Sequence, residues 1–205
     1  MASLANTIPR TRTYEGKATI QFVTDETELG VTIDTNRLHM RSVQPDDVGR
    51  YVALFEDPAV MEKYGDGRPR TPEQTKERVE LWVKRWFQGD PYSGLAVFAR
   101  DGGKFLGHVV LGHGDEPGHA EIAFIFHQFC WNQKYASEAV DAILESYVSA
   151  LIKEGYQVDG KPLSLVTATA RPDNVASVKI LRKKMEALKE DEKYGAMRRF
   201  YQLRV

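Results

Sequence analysis

At 205 residues, 42% of them hydrophobic, the chain is long enough to build one domain around its own core. Its 28 Lys and Arg almost cancel 29 Asp and Glu, leaving a formal charge of −1, which argues against a general polyanion-binding surface and so against sequence-blind nucleic-acid binding. The single cysteine, Cys130, excludes an internal disulfide and a thiolate metal cage, and no window reaches the roughly 18 uninterrupted apolar residues of a membrane span.

Residues 1–34 read as an N-terminal extension to a main domain over residues 35–205. Up to about residue 17 the chain is polar and aperiodic, with Pro9 and Gly16, which predicts a mobile arm. It lacks the apolar stretch of a secretory signal, so a cytoplasmic protein is expected. Ala18–Thr24 is rich in β-formers, residues 25–30 suit a turn, and Val31, Ile33, Leu38 and Met40 extend the pattern into Arg41. One hairpin over residues 18–42 is the expectation. Pro45, Asp46 and Asp47 favour a helix start, and Val48, Tyr51, Val52 and Phe55 fall on one helical face. Thr71-Pro72-Glu73 opens another helix, whose stripe of Val79, Trp82, Val83 and Trp86 reads as core.

Strands are predicted at residues 94–100, 104–111 and 120–126, the first two joined by an Asp101-Gly102-Gly103 turn. A long helix follows from Tyr135 to Lys153, then a strand over residues 162–170, a helix from Asp173 or Asn174, and a last strand over residues 199–205. The order describes a mixed α/β domain without a dinucleotide fingerprint or P-loop.

The informative stretch is Ala120–Ala139, AEIAFIFHQFCWNQKYASEA. A strand, a short loop and a helix start in that order present free backbone N–H groups at the positive end of a helix dipole, an arrangement suited to a pyrophosphate. Here the chain resembles the GNAT superfamily of N-acetyltransferases, in its RimJ/RimL-like branch. Thr35-Asn36-Arg37-Leu38-His39-Met40-Arg41 is similar to that branch's T-x-R-L-x-L-R strand, and Asp46-Asp47 with the run Leu54–Met61 to its first-helix pattern. Ala120-Glu121-Ile122 resembles its A-E-I-G-Y strand, Trp131–Ala139 its W-G-K-G-Y-A-T-E-A loop, and Asn174–Ser177 with Leu181 its N-x-x-S helix.

The resemblance implies a GNAT fold: a mostly antiparallel central sheet with flanking helices, in which two parallel strands splay apart to admit the pantetheine arm of acetyl-CoA. Backbone groups near Ile125 and Phe126 would then pair with pantetheine. The amides of Gln133, Lys134, Tyr135, Ala136 and Ser137 would cradle the pyrophosphate, and Asn174 and Ser177 would face the thioester from the far side. Two features depart from the family. Its loop glycines are Asn132 and Lys134 here, at positions where glycine tolerates positive φ. Its K-x-G-F helix stop is Lys183-Lys184-Met185-Glu186, so the helix is expected to run on towards Leu188 or Lys189.

An alkylamine is mostly protonated at neutral pH, so transfer requires a proton acceptor. Glu121, in an apolar strand, is the candidate, and an ion-paired or edge-exposed glutamate is the plainer reading. A tyrosine acid used by other GNAT branches is replaced by Leu181, which leaves Ser177 as a candidate or no acid at all, since a thiolate is a fair leaving group. His108, His113, His119 and His127 follow no ligand spacing, so no metal is expected. The function predicted is acetyl-CoA-dependent transfer to a primary amine, foremost a protein or peptide N-terminus, by direct attack in a ternary complex. A polyamine or amino-sugar acceptor would suit the acidic residues Asp57, Glu62, Asp66, Asp115 and Glu116. A non-catalytic acyl-CoA-binding GNAT-like module would suit the altered loop, and the N-terminal hairpin would suit a homodimer or an intramolecular pairing.

Overall fold

The computed structural model describes residues 9–25 and 28–205. The chain enters through β1 (Arg10–Tyr14), β2 (Thr19–Thr24), β3 (Leu29–Asp34) and β4 (Leu38–Ser42). A 3₁₀ turn at Pro45–Asp47 leads to α1 (Val48–Phe55), α2 (Pro58–Met61) and α3 (Pro72–Phe87), then β5 (Gly94–Ala99), β6 (Phe105–His113) and β7 (His119–Phe126). Beyond a second 3₁₀ turn at Gln128–Cys130, α4 (Tyr135–Ala142) continues through a π turn into α5 (Val148–Glu154). The small hairpin of β8 (Gln157–Val158) and β9 (Lys161–Pro162) precedes β10 (Leu165–Ala170), α6 (Val175–Leu181), β11 (Glu186–Lys193) and β12 (Ala196–Arg204).

Among the described residues, ten strands form one sheet in the order β1-β2-β3-β4-β5-β6-β7-β10-β12-β11, and only β7 and β10 run parallel. β5 is buried on both faces: Leu95 and Val97 join the core beneath α4 and α5, whereas Ala96 and Phe98 join the core beneath α1 and α3. The predicted stripe of α3 is buried as expected, and Thr71 caps that helix through a capping box with Gln74.

Three expectations are corrected. Residues 1–8 of the predicted arm lie outside the described residues, but Arg10–Tyr14 is a strand paired with β2. Arg12 Nε, 2.6 Å from Glu154, and the Tyr14 hydroxyl anchor it to α5, a long-range contact that local periodicity cannot reveal. The single hairpin over residues 18–42 is three strands, because the chain turns at Thr35–Arg37, where Leu38 N donates to Thr35 Oγ1 at 3.0 Å and Thr35 N to Leu38 O at 3.0 Å. The helix after Asn174 does not run on to Leu188. It ends at Leu181, Lys184 N and Met185 N close the turn on Leu181 O, and the chain enters β11 instead. Tyr194 and Gly195, both at positive φ (57° and 73°), then reverse it into β12, as a two-residue hairpin turn requires.

Two buried polar groups join α1 to the sheet. Asp47, wholly buried, accepts from Arg41 Nη1 and Nη2 at 2.7 and 2.8 Å, Arg50 Nη1 at 3.0 Å and Gln44 N at 2.9 Å. Burial opposes its charge, yet the Arg41 hydrogen bonds, the Gln44 N–H and the charges of Arg41 and Arg50 hold the carboxyl below its ordinary pKa. His108 on β6 is also fully buried, with Nδ1 2.7 Å from the Tyr51 hydroxyl, the Trp82 ring tilted against it at 4.3 Å and, among the described residues, no well-formed hydrogen bond at Nε2. Burial pushes its pKa down to about 3. Gly94 permits this packing, since a Cβ there would lie 2.8 Å from both rings.

Candidate active site

The parallel ladder between β7 and β10 is short. It pairs His119, Ala120 and Glu121 with Leu165, Val166 and Thr167, and there it stops. Beyond Glu121, Ile122–Phe126 keep their β6 partners but have none on the β10 side, while Ala168–Ala170 stay paired with β12. The two strands thus separate, and a cleft of about 1470 Å³ passes through the opening, bounded by α3, the loop before α4, α6 and the β11–β12 hairpin.

On one side of this split lies the start of α4. Asn132 and Lys134 both adopt the left-handed region, at φ 62° and 65°, so the positions where the family uses glycine keep a glycine-like backbone here despite their side chains. Lys134 is the N-cap residue and no side chain caps the helix, leaving the first N–H groups of α4 available at its positive end. The loop is held from below by Arg37, whose Nη1 donates to Gln133 O at 3.0 Å and whose Nε and Nη2 reach Glu138 at 2.7 and 2.6 Å. Glu138 also accepts from Thr35 Oγ1 at 2.6 Å and Arg37 N at 3.0 Å, and the guanidinium lies over the Tyr135 ring at 4.6 Å. Burial works against Glu138's charge, but Thr35 and Arg37 keep its pKa low, so the carboxylate in the first turn of α4 stays ionised and its charge is balanced by Arg37. The β4-side motif and the loop motif, a hundred residues apart in sequence, are therefore one physical unit.

Ile125, Phe126, Lys134, Tyr135, Ala136, Ser137, Asn174 and Ser177 all line the cleft with Glu121. Gln133 does not; its side chain donates to Phe129 O at 2.6 Å. The Phe126 carbonyl accepts from Trp131 Nε1 at 2.9 Å. Asn174 caps α6 by accepting from Ser177 N at 3.2 Å, which fixes the helix end that borders the opening.

On the other side, Glu121 Oε2 lies 3.1 Å from Lys193 Nζ, so the plainer ion-pair reading describes its state in this structure. Burial opposes the charge of Lys193, but Glu121 holds its pKa above that of an ordinary lysine. Tyr64, Tyr194 and Arg198 share this half of the cleft, and burial pushes the Tyr64 phenol up to about 12. Lys193, Tyr194 and Arg198 fall between the helix expected to reach Leu188 or Lys189 and the strand expected from residue 199, so the sequence does not point to them; they sit on the β11–β12 hairpin.

The four clustered histidines disperse. His108 is in the core, His113 bridges Asp90 and Asp159 at 2.8 Å each, His119 opens β7, and His127 stacks on Phe129. Trp82 and Trp86 are core residues. Cys130 is buried at the cleft wall, and burial pushes its thiol up to about 11. No helix among the described residues is long and apolar enough to cross a membrane.

Residues 37–184 match the family described as acetyltransferase (GNAT) domain. The chain is 28% identical over 151 residues to the uncharacterized N-acetyltransferase YnaD of Bacillus subtilis (strain 168), covering 74% of this chain and 79% of that protein. A GNAT-family acetyltransferase from Bacillus anthracis superposes with a TM-score of 0.67 at 22% identity, covering 84% of this chain and 98% of that one. The ribosomal L7/L12 α-N-protein acetyltransferase RimL, solved with coenzyme A, gives 0.66 at 16% identity, covering 83% and 96%. The ribosomal-protein-S5-alanine acetyltransferase of Vibrio fischeri gives 0.66 at 14% identity, covering 84% and 96%.

Proposed function

This chain belongs to the acetyltransferase (GNAT) domain family and is an N-acetyltransferase, and from that premise we propose that it moves the acetyl group of acetyl-CoA onto a protein or peptide N-terminal amine by direct attack in a ternary complex. The observation that carries this reading is the ladder that ends at Glu121 and Thr167, because it opens a cleft with a carboxylate at its apex and an uncapped helix start beside it. Acetyl-CoA supplies an activated thioester when bound. The N–H groups at the start of α4 fit its pyrophosphate, and the free strand edge of Ile122–Phe126 fits its amide-bearing arm. Glu121 accepts the proton that the acceptor ammonium must lose, and the main chain near Ile125 polarises the carbonyl under attack. Ser177 stands beside Asn174 at the opening as the donor to the departing sulfur, directly or through water. The ribosomal-protein acetyltransferases among the structural neighbours favour an N-terminal amine as acceptor. The buried free cysteine suits the reducing cytoplasm in which we place the reaction.

Calorimetric titration with acetyl-CoA tests the reading first. Micromolar affinity, about −8 kcal/mol, is expected. A panel of peptide α-amines, polyamines and amino sugars then shows amine-dependent release of CoA thiol. Binding without release across the panel would leave a non-catalytic module, and no binding would sink the transferase.

Lys134 gives a second expected result. Its ammonium, exposed and lining the cleft at the helix start, is assigned to a phosphate oxygen. Lys134→Ala and Lys134→Gly should both weaken CoA about tenfold. Only the glycine variant should also raise Tm, by relieving a left-handed residue that costs about 1 kcal/mol. Parent-like CoA affinity in both would remove the contact.

A further inference from the structure

In the acceptor half of the cleft, buried charge is out of balance. Glu121, its side chain 19% exposed, faces Lys193 at 3.1 Å, itself 20% exposed. The other carboxylate near Lys193, Asp115 at 3.5 Å, is 84% exposed and screened by water. Arg198 is 5% exposed and, among the described residues, donates only to neutral oxygens: Nε to Thr169 Oγ1 at 2.8 Å, Nη1 to Gly65 O and Nη2 to Thr169 O at 3.2 Å each. Both cations pack on the Tyr194 ring, Lys193 Nζ at 5.3 Å and Arg198 Cζ at 5.5 Å from its centre. Two largely buried cations therefore share one carboxylate, and the guanidinium keeps N–H donors to spare from its five.

An acceptor amine arrives as an ammonium and must reach Glu121, where Lys193 now sits. Its arrival leaves Lys193 and Arg198 without a buried counter-charge, which is costly unless the acceptor brings one. We propose that Arg198 and Lys193 form a carboxylate subsite, so that the preferred acceptor is an amine with a carboxylate a few bonds away: a free α-amino acid, or a polypeptide beginning with Asp or Glu. The planar fork of arginine suits such a group, and Lys193 follows its anion from Glu121 to the acceptor. This inference rests on the transferase reading and on Glu121 as the proton acceptor.

The experiment measures kcat/KM on the full chain at saturating acetyl-CoA for two matched pairs. Alanine against alaninamide reports the free amino acid, and tetrapeptide amides beginning Asp-Ala or Asn-Ala report the polypeptide. The carboxylate-bearing member of at least one pair should be preferred by about tenfold or more, chiefly through KM. Lys193→Met and Arg198→Lys should bring that ratio towards one. Lys193 is at the hairpin end, so its variant tests the subsite without disturbing the Arg198 contacts to Gly65 and Thr169. Equal rates within both pairs would overturn the carboxylate subsite and leave the transferase intact. A preference that persists in both variants would overturn its assignment to these residues. No transfer to any amine with acetyl-CoA bound would overturn the transferase reading as well.

Discussion

Glu121→Gln should lower kcat/KM for every amine acceptor by about 10²–10⁴-fold, while acetyl-CoA affinity stays close to that of the parent. The substitution preserves shape and removes the capacity to take a proton. Glu121 lies at the last rung of the β7–β10 ladder, whereas the helix start and the strand edge assigned to the cofactor lie beyond the split. The loss of acetyl transfer should therefore come without a loss of cofactor binding. Rate against pH provides a second readout: the variant depends wholly on amines that are already neutral, so its kcat/KM should climb with pH more steeply than the parent's. Lys193→Met, assayed with an amine that carries no carboxylate, controls for the broken ion pair, since it also breaks the contact at 3.1 Å but keeps the Glu121 carboxylate. If Glu121 serves only to hold the β11–β12 hairpin, the two variants should lose activity alike, in step with any fall in Tm.

What was legible in the sequence follows where local chemistry carries the information. The α3 start was readable from Thr71 and Pro72, the β5–β6 hairpin from its Asp-Gly-Gly turn, and the α4 start from the motif around Trp131–Ala139. Asn132 and Lys134 stand where the resembled motif has glycine, and both adopt the positive φ that glycine favours. β11 failed for a physical reason. Its sequence, EALKEDEK, is exposed nearly throughout, joins the sheet only through β12 and shows no apolar alternation. An edge strand of this kind is kept from further pairing by its charges, and those same charges disguise it as helix or loop. Misreading it concealed Lys193 and Arg198, which set the charge around Glu121. The Arg37–Glu138 unit was half legible: both residues stood in the motifs, but their contact required the fold.

The second large effect concerns stability in acid. His108 takes up a proton in the folded protein only near pH 3, whereas in the unfolded chain it does so near 6.5. Between those values the unfolded state binds the extra proton, so stability falls as pH falls, by roughly 3 kcal/mol between pH 6.5 and 4. His127, also lowered by burial, adds to the same window with the same sign. Asp47 acts lower down: its folded pKa is depressed, so its contribution is complete above its unfolded value of 3.8 and is lost as pH drops through the folded one. Two variants separate these contributions in urea unfolding at several pH values. His108→Gln should flatten most of the slope between pH 6.5 and 4, because the buried side chain no longer titrates. Asp47→Ala should lose about 3–5 kcal/mol at neutral pH, since it strands Arg41 beside the Phe98 ring without its carboxylate, yet keep the parent's slope in that window. An unchanged slope in His108→Gln would mean that the imidazole is protonated within the core, with Tyr51 accepting from it, and α1 would then be tied to the sheet by a charge rather than by a neutral pair.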